Sequence, residues 1–433
     1  MKKVFSLVLC LLMILSLFTG CGSEPQPTET TTPTTEAPSG PILQVGYGRV
    51  DITPEYSVPL GGRHDEVFSE KVINRLYATC IAFTDNTGNT VLVYHLDLLQ
   101  SYGQANMARV QIAKATGVNG LQILMCSTHN HSGPNLNNAN GNIDRYCETL
   151  PDLLVQAAVD AMADRKPVTN VYTARTNPTG LNFLRHHVLA DGSKTGWASP
   201  AVSSGVAHLF DCDNELQLIK IAREGGKDVV LMNWQGHPNA AADPNKLAIA
   251  SDVDVVRRAM EAQLDCHFAY FLGASGNVNS SSYVKSENTA PGYIKDYVTR
   301  GNKLAEYAIL ALQNPTEVSF GKLGFVQSKY AGTALNGNNK IDIQLYAFSF
   351  GDIGFTTAPY EMFTENGQKI KQDSPFPMTF VSTCSGGSVG YLPSEYAFEY
   401  DCYEVSITKF QKGTAEAVVL EHVALLKQLY EAK

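Results

Sequence analysis

The stretch Leu121–Asn135, LQILMCSTHNHSGPN, changes character half-way along. Apolar side chains at Leu121, Ile123, Leu124 and Met125 predict a buried strand, and at Thr128 the run breaks into a polar loop. His129 and His131 stand there one residue apart, ahead of the turn formers Gly133 and Pro134. A histidine just beyond a buried strand sits on a rigid platform, as a metal ligand or a catalytic base requires. Residues i and i+2 of an extended segment point the same way, so the two imidazoles could share one ligand site or stand as a ligand and its supporting neighbour. Solvated loop histidines are common, and the pair alone does not choose.

Outward from this stretch, strands and helices alternate. Strands are expected at Ile42–Val50, Leu76–Thr84, Thr90–Asp97, Leu121–Ser127, Thr169–Ala174, Glu215–Arg223, Asp228–Trp234, His267–Leu272, Val318–Gln327, Ile341–Phe350 and Ile353–Thr357. The clearest amphipathic helix puts Leu150, Leu153, Leu154, Ala157, Ala161 and Met162 on one face. Another starts at Ser251, a capping residue with Asp254 three positions later. Further helices are expected at Tyr293–Gln313, Met362–Gln372 and Thr414–Tyr430. With no internal repeat and no second linker, this order predicts an α/β fold: mixed β-sheets packed together and flanked by helices, in a single large catalytic domain over residues 41–433.

Composition sets the class. A chain of 433 residues with 44% hydrophobic and 17% charged residues can bury a large core. A net charge of −9 and no cluster of Lys and Arg exclude the usual footprint of a nucleic-acid partner. At the N-terminus, Lys2 and Lys3 precede the apolar run Val4–Phe18, followed by Thr19, Gly20 and Cys21. This resembles a bacterial lipoprotein signal, with a signal peptide at residues 1–20 and Cys21 as the lipidated first residue of the mature chain. The run is short for a spanning helix, which needs about 20 apolar residues. Residues 21–40 form a Thr/Pro-rich tether, expected to be disordered because it has no large apolar side chain to bury. The expectation is an exported lipoprotein anchored to the cell membrane and facing outward. Cys80, Cys126, Cys147, Cys212, Cys266, Cys384 and Cys402 remain, an odd number with no close C-x-x-C pair, which suggests neither a zinc ribbon nor a complete set of internal disulfides.

Several polar signals share one placement. His129 follows a predicted strand, His237 follows VVLMNW, the run GNVNSSS at 276–282 follows HFAYFL, and Glu361 follows IGFTTAP. Ligand sites in open α/β sheets gather at the carboxyl ends of strands. Each residue also has a plain structural reading: His237 as a satisfied loop histidine, Glu361 as an acid favoured at a helix start, Tyr391 as a packing aromatic and Arg185 as a surface charge.

Taken together, VGYGRVDITPE, THNHSGPN, NWQGHPN, APYEMFTENG and GYLPSEYAFEYDCYE, in this order along nearly the whole chain after the tether, resemble the neutral/alkaline ceramidases. THNHSGP is similar to that family's T-H-T-H-S-G-P. The resemblance implies that His129, His237, Glu361 and Tyr391 are zinc ligands and that His131 is a supporting or transition-state histidine that shuttles a proton to the leaving amine. It further implies that Arg185 binds the substrate oxygen and that Tyr403, twelve residues after Tyr391, stabilises the oxyanion. Two neutral imidazoles, a carboxylate and a phenol are N/O ligands suited to zinc, which lowers the pKa of bound water to about 7. The implied function is membrane-tethered, zinc-dependent hydrolysis of an N-acyl amide, ceramide-like or another N-acyl compound, by zinc-bound hydroxide.

Two departures from the family matter. Its G-D-V-S-P-N hexapeptide aligns with the run from Gly276 to Ser281, and the serine position holds Asn279. A serine nucleophile is thereby disfavoured. The ceramidases also carry a C-terminal immunoglobulin-like domain, whereas the last predicted helix here ends near Tyr430. The alternative function is a non-catalytic cell-surface binding lipoprotein on the same fold. An amidohydrolase-type barrel also starts its metal site with H-x-H, but the regular (β/α) alternation it needs is missing.

Overall fold

The computed structural model describes residues 42–433 apart from 63–64, 101–102, 139–140, 190, 197–206, 209–211, 240, 242–246 and 281–295. The predicted signal peptide, the tether, Cys21 and Ser281 lie outside the described residues. From residue 42 on, the chain falls in one compact unit, Gly40–Lys433.

Two sheets pack face to face. The larger runs in the order His267–Leu272, Val229–Trp234, Leu216–Arg223, Lys166–Thr176, Leu43–Asp51, Tyr77–Asp85, Thr90–Leu96, Ile123–Ser127, with Thr316–Val318 also paired to Lys166–Thr176. Its two outermost pairs are parallel and the rest antiparallel. Strand pairing joins the halves through Gln44↔Pro167 and Val45↔Lys166, and the two ends of the path come back into contact, where Tyr270 N donates to His95 Nδ1 at 2.9 Å. That return brings the carboxyl end of Ile123–Ser127 beside that of Val229–Trp234. The smaller sheet holds Leu323–Thr333, Lys340–Phe350, Ile353–Thr357 and Met378–Ser382. Between the sheets, Phe83 meets Phe350 at a centroid distance of 5.0 Å and Phe271 meets Phe355 edge to face at 5.1 Å. These rings sit in one core with Leu, Ile and Val side chains from both sheets.

Helices close the outer faces. On the first half of the larger sheet, Gly141–Ala163 buries Ile143, Tyr146, Leu150, Leu154, Ala157, Ala158 and Ala161, one continuous stripe at helical spacing. It lies so close that a Cβ on Gly46 would sit 1.9 Å from Ala161 O, and one on Gly48 would sit 2.1 Å from Ala157 O. The two glycines of VGYGRVD are therefore the seat of this helix. Asp252–Leu264 and Tyr297–Ala311 cover the second half, and Ser251 caps the former by accepting from Asp254 N at 3.1 Å, as its sequence predicts. The C-terminal helix Thr414–Glu431 packs on the smaller sheet.

The mixed α/β reading holds, with local differences; among them, Leu121 is exposed in a 3-10 turn and its strand starts at Ile123. Val318–Gln327 is not one strand: Thr316–Val318 belongs to the larger sheet and Leu323–Thr333 to the smaller. The chain turns between them where Ser319 N donates to Asp352 Oδ2 at 3.0 Å. Helix Gly103–Thr116 and strand Met378–Ser382 were not expected. The helix buries mainly Ala105, Ala108 and Ile112, a stripe too small to register as a hydrophobic period. All seven cysteines from Cys80 onward are free thiols.

Candidate metal centre

The H-x-H loop extends the parallel ladder of its strand. Thr128 N donates to Leu96 O at 2.8 Å and Asn130 N to Leu98 O at 3.2 Å, so the segment after Ser127 stays zipped to the segment after Leu96. Asn130 Nδ2 donates to Ala250 O at 2.9 Å, and His131 N to Pro238 O at 3.4 Å, which ties the loop to the one that carries His237. His129 itself lies in the left-handed region at φ 63°. For a residue with a Cβ this costs on the order of 1–2 kcal/mol, and it turns the imidazole inward from the strand end.

Three imidazoles meet here, with ligand-capable nitrogens within 4.8 Å of one another. Each Nδ1 donates to a backbone carbonyl: His129 to Leu99 O at 2.9 Å, His131 to Gly62 O at 3.0 Å and His237 to Ser275 O at 3.1 Å. A carbonyl can only accept, so every Nδ1 carries the proton and every Nε2 presents its lone pair unless the ring is also charged. Gly62 makes this possible for His131, because a Cβ there would lie 2.3 Å from its Nδ1.

Glu361 and Tyr391 complete the wall. Glu361–Met362 and Tyr391–Leu392 are short parallel strands in which Glu361 is the direct partner of Tyr391, so both side chains leave the same face. Glu361 Oε2 lies 3.3 Å from His129 Nε2. The Tyr391 phenol is within hydrogen-bonding reach of Glu361 and of the Arg185 guanidinium, and burial together with Glu361 holds its pKa well above the usual value, against the pull of Arg185. The edge of the Tyr403 ring meets Tyr391, centroids 5.8 Å apart, at the start of the short helix Tyr403–Ile407. Arg185 follows strand Asn182–Leu184, and its Nη2 donates to Gly276 O and to Glu404 Oε1.

The residues fit a cation. His129 Nε2 and Glu361 Oε2 are buried facing each other at 3.3 Å, and neither makes a hydrogen bond to any other group, so a proton or a cation between them is what satisfies both. His237 Nε2 faces His131 Nε2 at 2.9 Å, so two lone pairs oppose each other unless a proton or a metal lies among them. The donor set is nitrogen and oxygen, the chemistry of zinc sites. Burial, reinforced by positive charge on His129, His131 and Arg185, drives the pKa of His237 well below that of a free histidine, which keeps it a neutral donor. For His129 burial works downward too, but Cys384 and Glu361 outweigh it and the net shift is upward.

The structure brings His129, His131, His237, Glu361, Tyr391, Arg185 and Tyr403 to one place. Asn279, at the expected serine position, is in strand Val278–Ser280 opposite Phe183, and its Oδ1 accepts from Asn239 Nδ2 at 3.2 Å. Ser280 is fully buried and donates to Asn239 Oδ1 at 2.7 Å. Sequence reasoning missed three neighbours. Cys384, another left-handed residue at φ 53°, places its thiol 3.5 Å from His129 Nδ1. Glu404 and His186 lie directly behind Arg185. Glu404 stands out in the sequence only as an acid in an aromatic-rich segment, and His186 only as a neighbour of Arg185.

No protein-family model matches the chain, and no curated protein matches it in sequence. Solved structures do. One described as neutral ceramidase from Pseudomonas aeruginosa superposes with a TM-score of 0.73 at 15% identity, over 91% of this chain and 75% of that one. A second, described as ceramidase complexed with C2, gives 0.71 at 14% identity, over 91% and 76%. The fold is ceramidase-like.

Proposed function

We propose that this ceramidase-like chain is a zinc-dependent hydrolase of N-acyl amides, tethered to a membrane through Cys21. The observation that carries the reading is the convergence of three Nδ1-tethered histidines beside the buried Glu361 carboxylate, next to a phenol and a guanidinium. In this reading His129, His237, Glu361 and Tyr391 hold the metal. When bound, zinc would supply a Lewis acid for the amide oxygen and a water acidified towards neutral pH.

The chain's own residues do the rest. Arg185 and Tyr403 present N–H and O–H donors towards the substrate oxygen, whose growing charge they stabilise. His131 is half-buried, unlike the fully buried His129 and His237. Its Nδ1 is fixed to Gly62 O, so its Nε2 is the atom that takes a proton from the attacking water and returns it to the leaving amine. Asn279 offers no nucleophile, in keeping with attack by water.

The test is elemental analysis of the purified chain together with hydrolysis of a panel of N-acyl amides, from ceramide to short N-acyl amino compounds. About one zinc per chain and chelator-sensitive release of amine are expected. A protein that holds no metal, or holds it and turns over no amide, would favour the alternative of a binding lipoprotein. For the tether, Cys21→Ser is expected to shift the protein from the membrane fraction to the soluble one. Unchanged partition of that variant would end the lipid-anchor proposal.

A further inference from the structure

Behind Arg185 lies a second buried cluster, His186, Cys402 and Glu404, whose potential ligand atoms are within 4.8 Å of one another. A metal is one reading of it, but its atoms are already committed. The Tyr396 hydroxyl meets His186 Nδ1 at 2.8 Å, and His186 Nε2 meets Glu404 Oε2 at 3.4 Å. Glu404 Oε1 accepts from Arg185. The Cys402 thiol faces Ala397 O at 3.7 Å, and burial pushes its pKa up to about 12, so it keeps its proton. The cation that this carboxylate needs is the guanidinium itself.

That ion pair matters to the neighbouring centre. Arg185 reaches Tyr391, and Tyr391 reaches Glu361, so a dication held by those residues would face a permanent positive charge across a single phenol. In a buried site such repulsion is weakly screened. Glu404 is fully buried, so water cannot supply the missing counter-charge. We infer that Glu404, held in turn by His186 and Tyr396, is the counter-ion that lets a divalent metal and Arg185 occupy the same site. It is a positioning and charge-balancing residue, one that touches neither metal nor substrate. The inference rests on the zinc reading above and adds to it a residue outside the ligand set.

The test measures zinc affinity of the full chain by chelator competition, with no substrate present. Glu404→Gln keeps the shape and removes the charge, and it is expected to weaken zinc binding at least about tenfold, the range seen for residues that support ligands. Removing both charges, Arg185→Met with Glu404→Gln, is expected to restore affinity to within about threefold of the parent, because the two effects are coupled. Arg185→Met alone is expected to bind at least as tightly as the parent, and it decides the matter should Glu404→Gln fail to fold. Unchanged affinity in Glu404→Gln, a double variant no tighter than that single one, or weaker binding by Arg185→Met would overturn the inference while leaving the zinc reading intact. Two zincs in the parent, with one lost in Glu404→Gln, would instead make the cluster a second metal site. A parent that binds no zinc removes both proposals together.

Discussion

His237→Ala is expected to abolish zinc retention and hydrolysis while the protein stays folded. His237 is one of four proposed ligands, and the adjacent imidazole, His131, is held at its own position by Nδ1 donation to Gly62 O, so its Nε2 cannot shift into the vacated place without breaking that bond. Loss of a direct ligand should exceed the 10–100-fold typical of supporting residues, so zinc content near zero and a fall in kcat/KM of at least about a thousandfold are expected. The structural cost is smaller. Alanine removes one hydrogen bond to Ser275 O and leaves a polar cavity that water can fill, a loss of about 1–3 kcal/mol. Metal analysis and circular dichroism on the same sample check both halves. Full zinc occupancy in the variant would take His237 out of the site.

Tyr403→Phe should give the second large effect. If the phenol donates to the developing oxyanion, removing it costs about 2.7–4 kcal/mol of transition-state stabilisation, by analogy with other oxyanion donors. That is a hundredfold or larger loss in kcat, with KM and zinc content little changed. Serine substitutions are expected to contrast with this. Ser280 is buried and spends its hydroxyl on Asn239, and Ser275 serves His237 through its backbone carbonyl, which alanine retains. Ser275→Ala, Ser280→Ala and Ser281→Ala should each lower turnover only modestly. A serine variant that is inactive with zinc bound, or an acyl group trapped on one of these hydroxyls, would restore a serine mechanism in place of attack by water.

Much was legible in the sequence because it is local. Apolar periodicity located most strands and the Ser251 cap, since a side chain's face follows from its position along the chain. THNHSGP could be read from residues six positions apart at most, and His237 and Glu361 could be found as polar breaks after buried runs. Helix Gly103–Thr116 escaped because an alanine stripe carries too little hydrophobic contrast, and the strand read as Val318–Gln327 split because its two ends pair with different sheets. Convergence was beyond any local signal. His129 and His237 follow strands near opposite ends of the larger sheet, and they meet only because that sheet folds back on itself through the contact of Tyr270 with His95. The tautomers of the three histidines were likewise set by carbonyls of Gly62, Leu99 and Ser275, which carry no sequence signature because every residue has one. Glu404 became part of the site for the same reason: a buried charge is defined by what lies against it, and its partner Arg185 is distant in sequence. The sequence by itself singled out the candidate ligands and their companions, and the tertiary structure alone decided which of their atoms face one another.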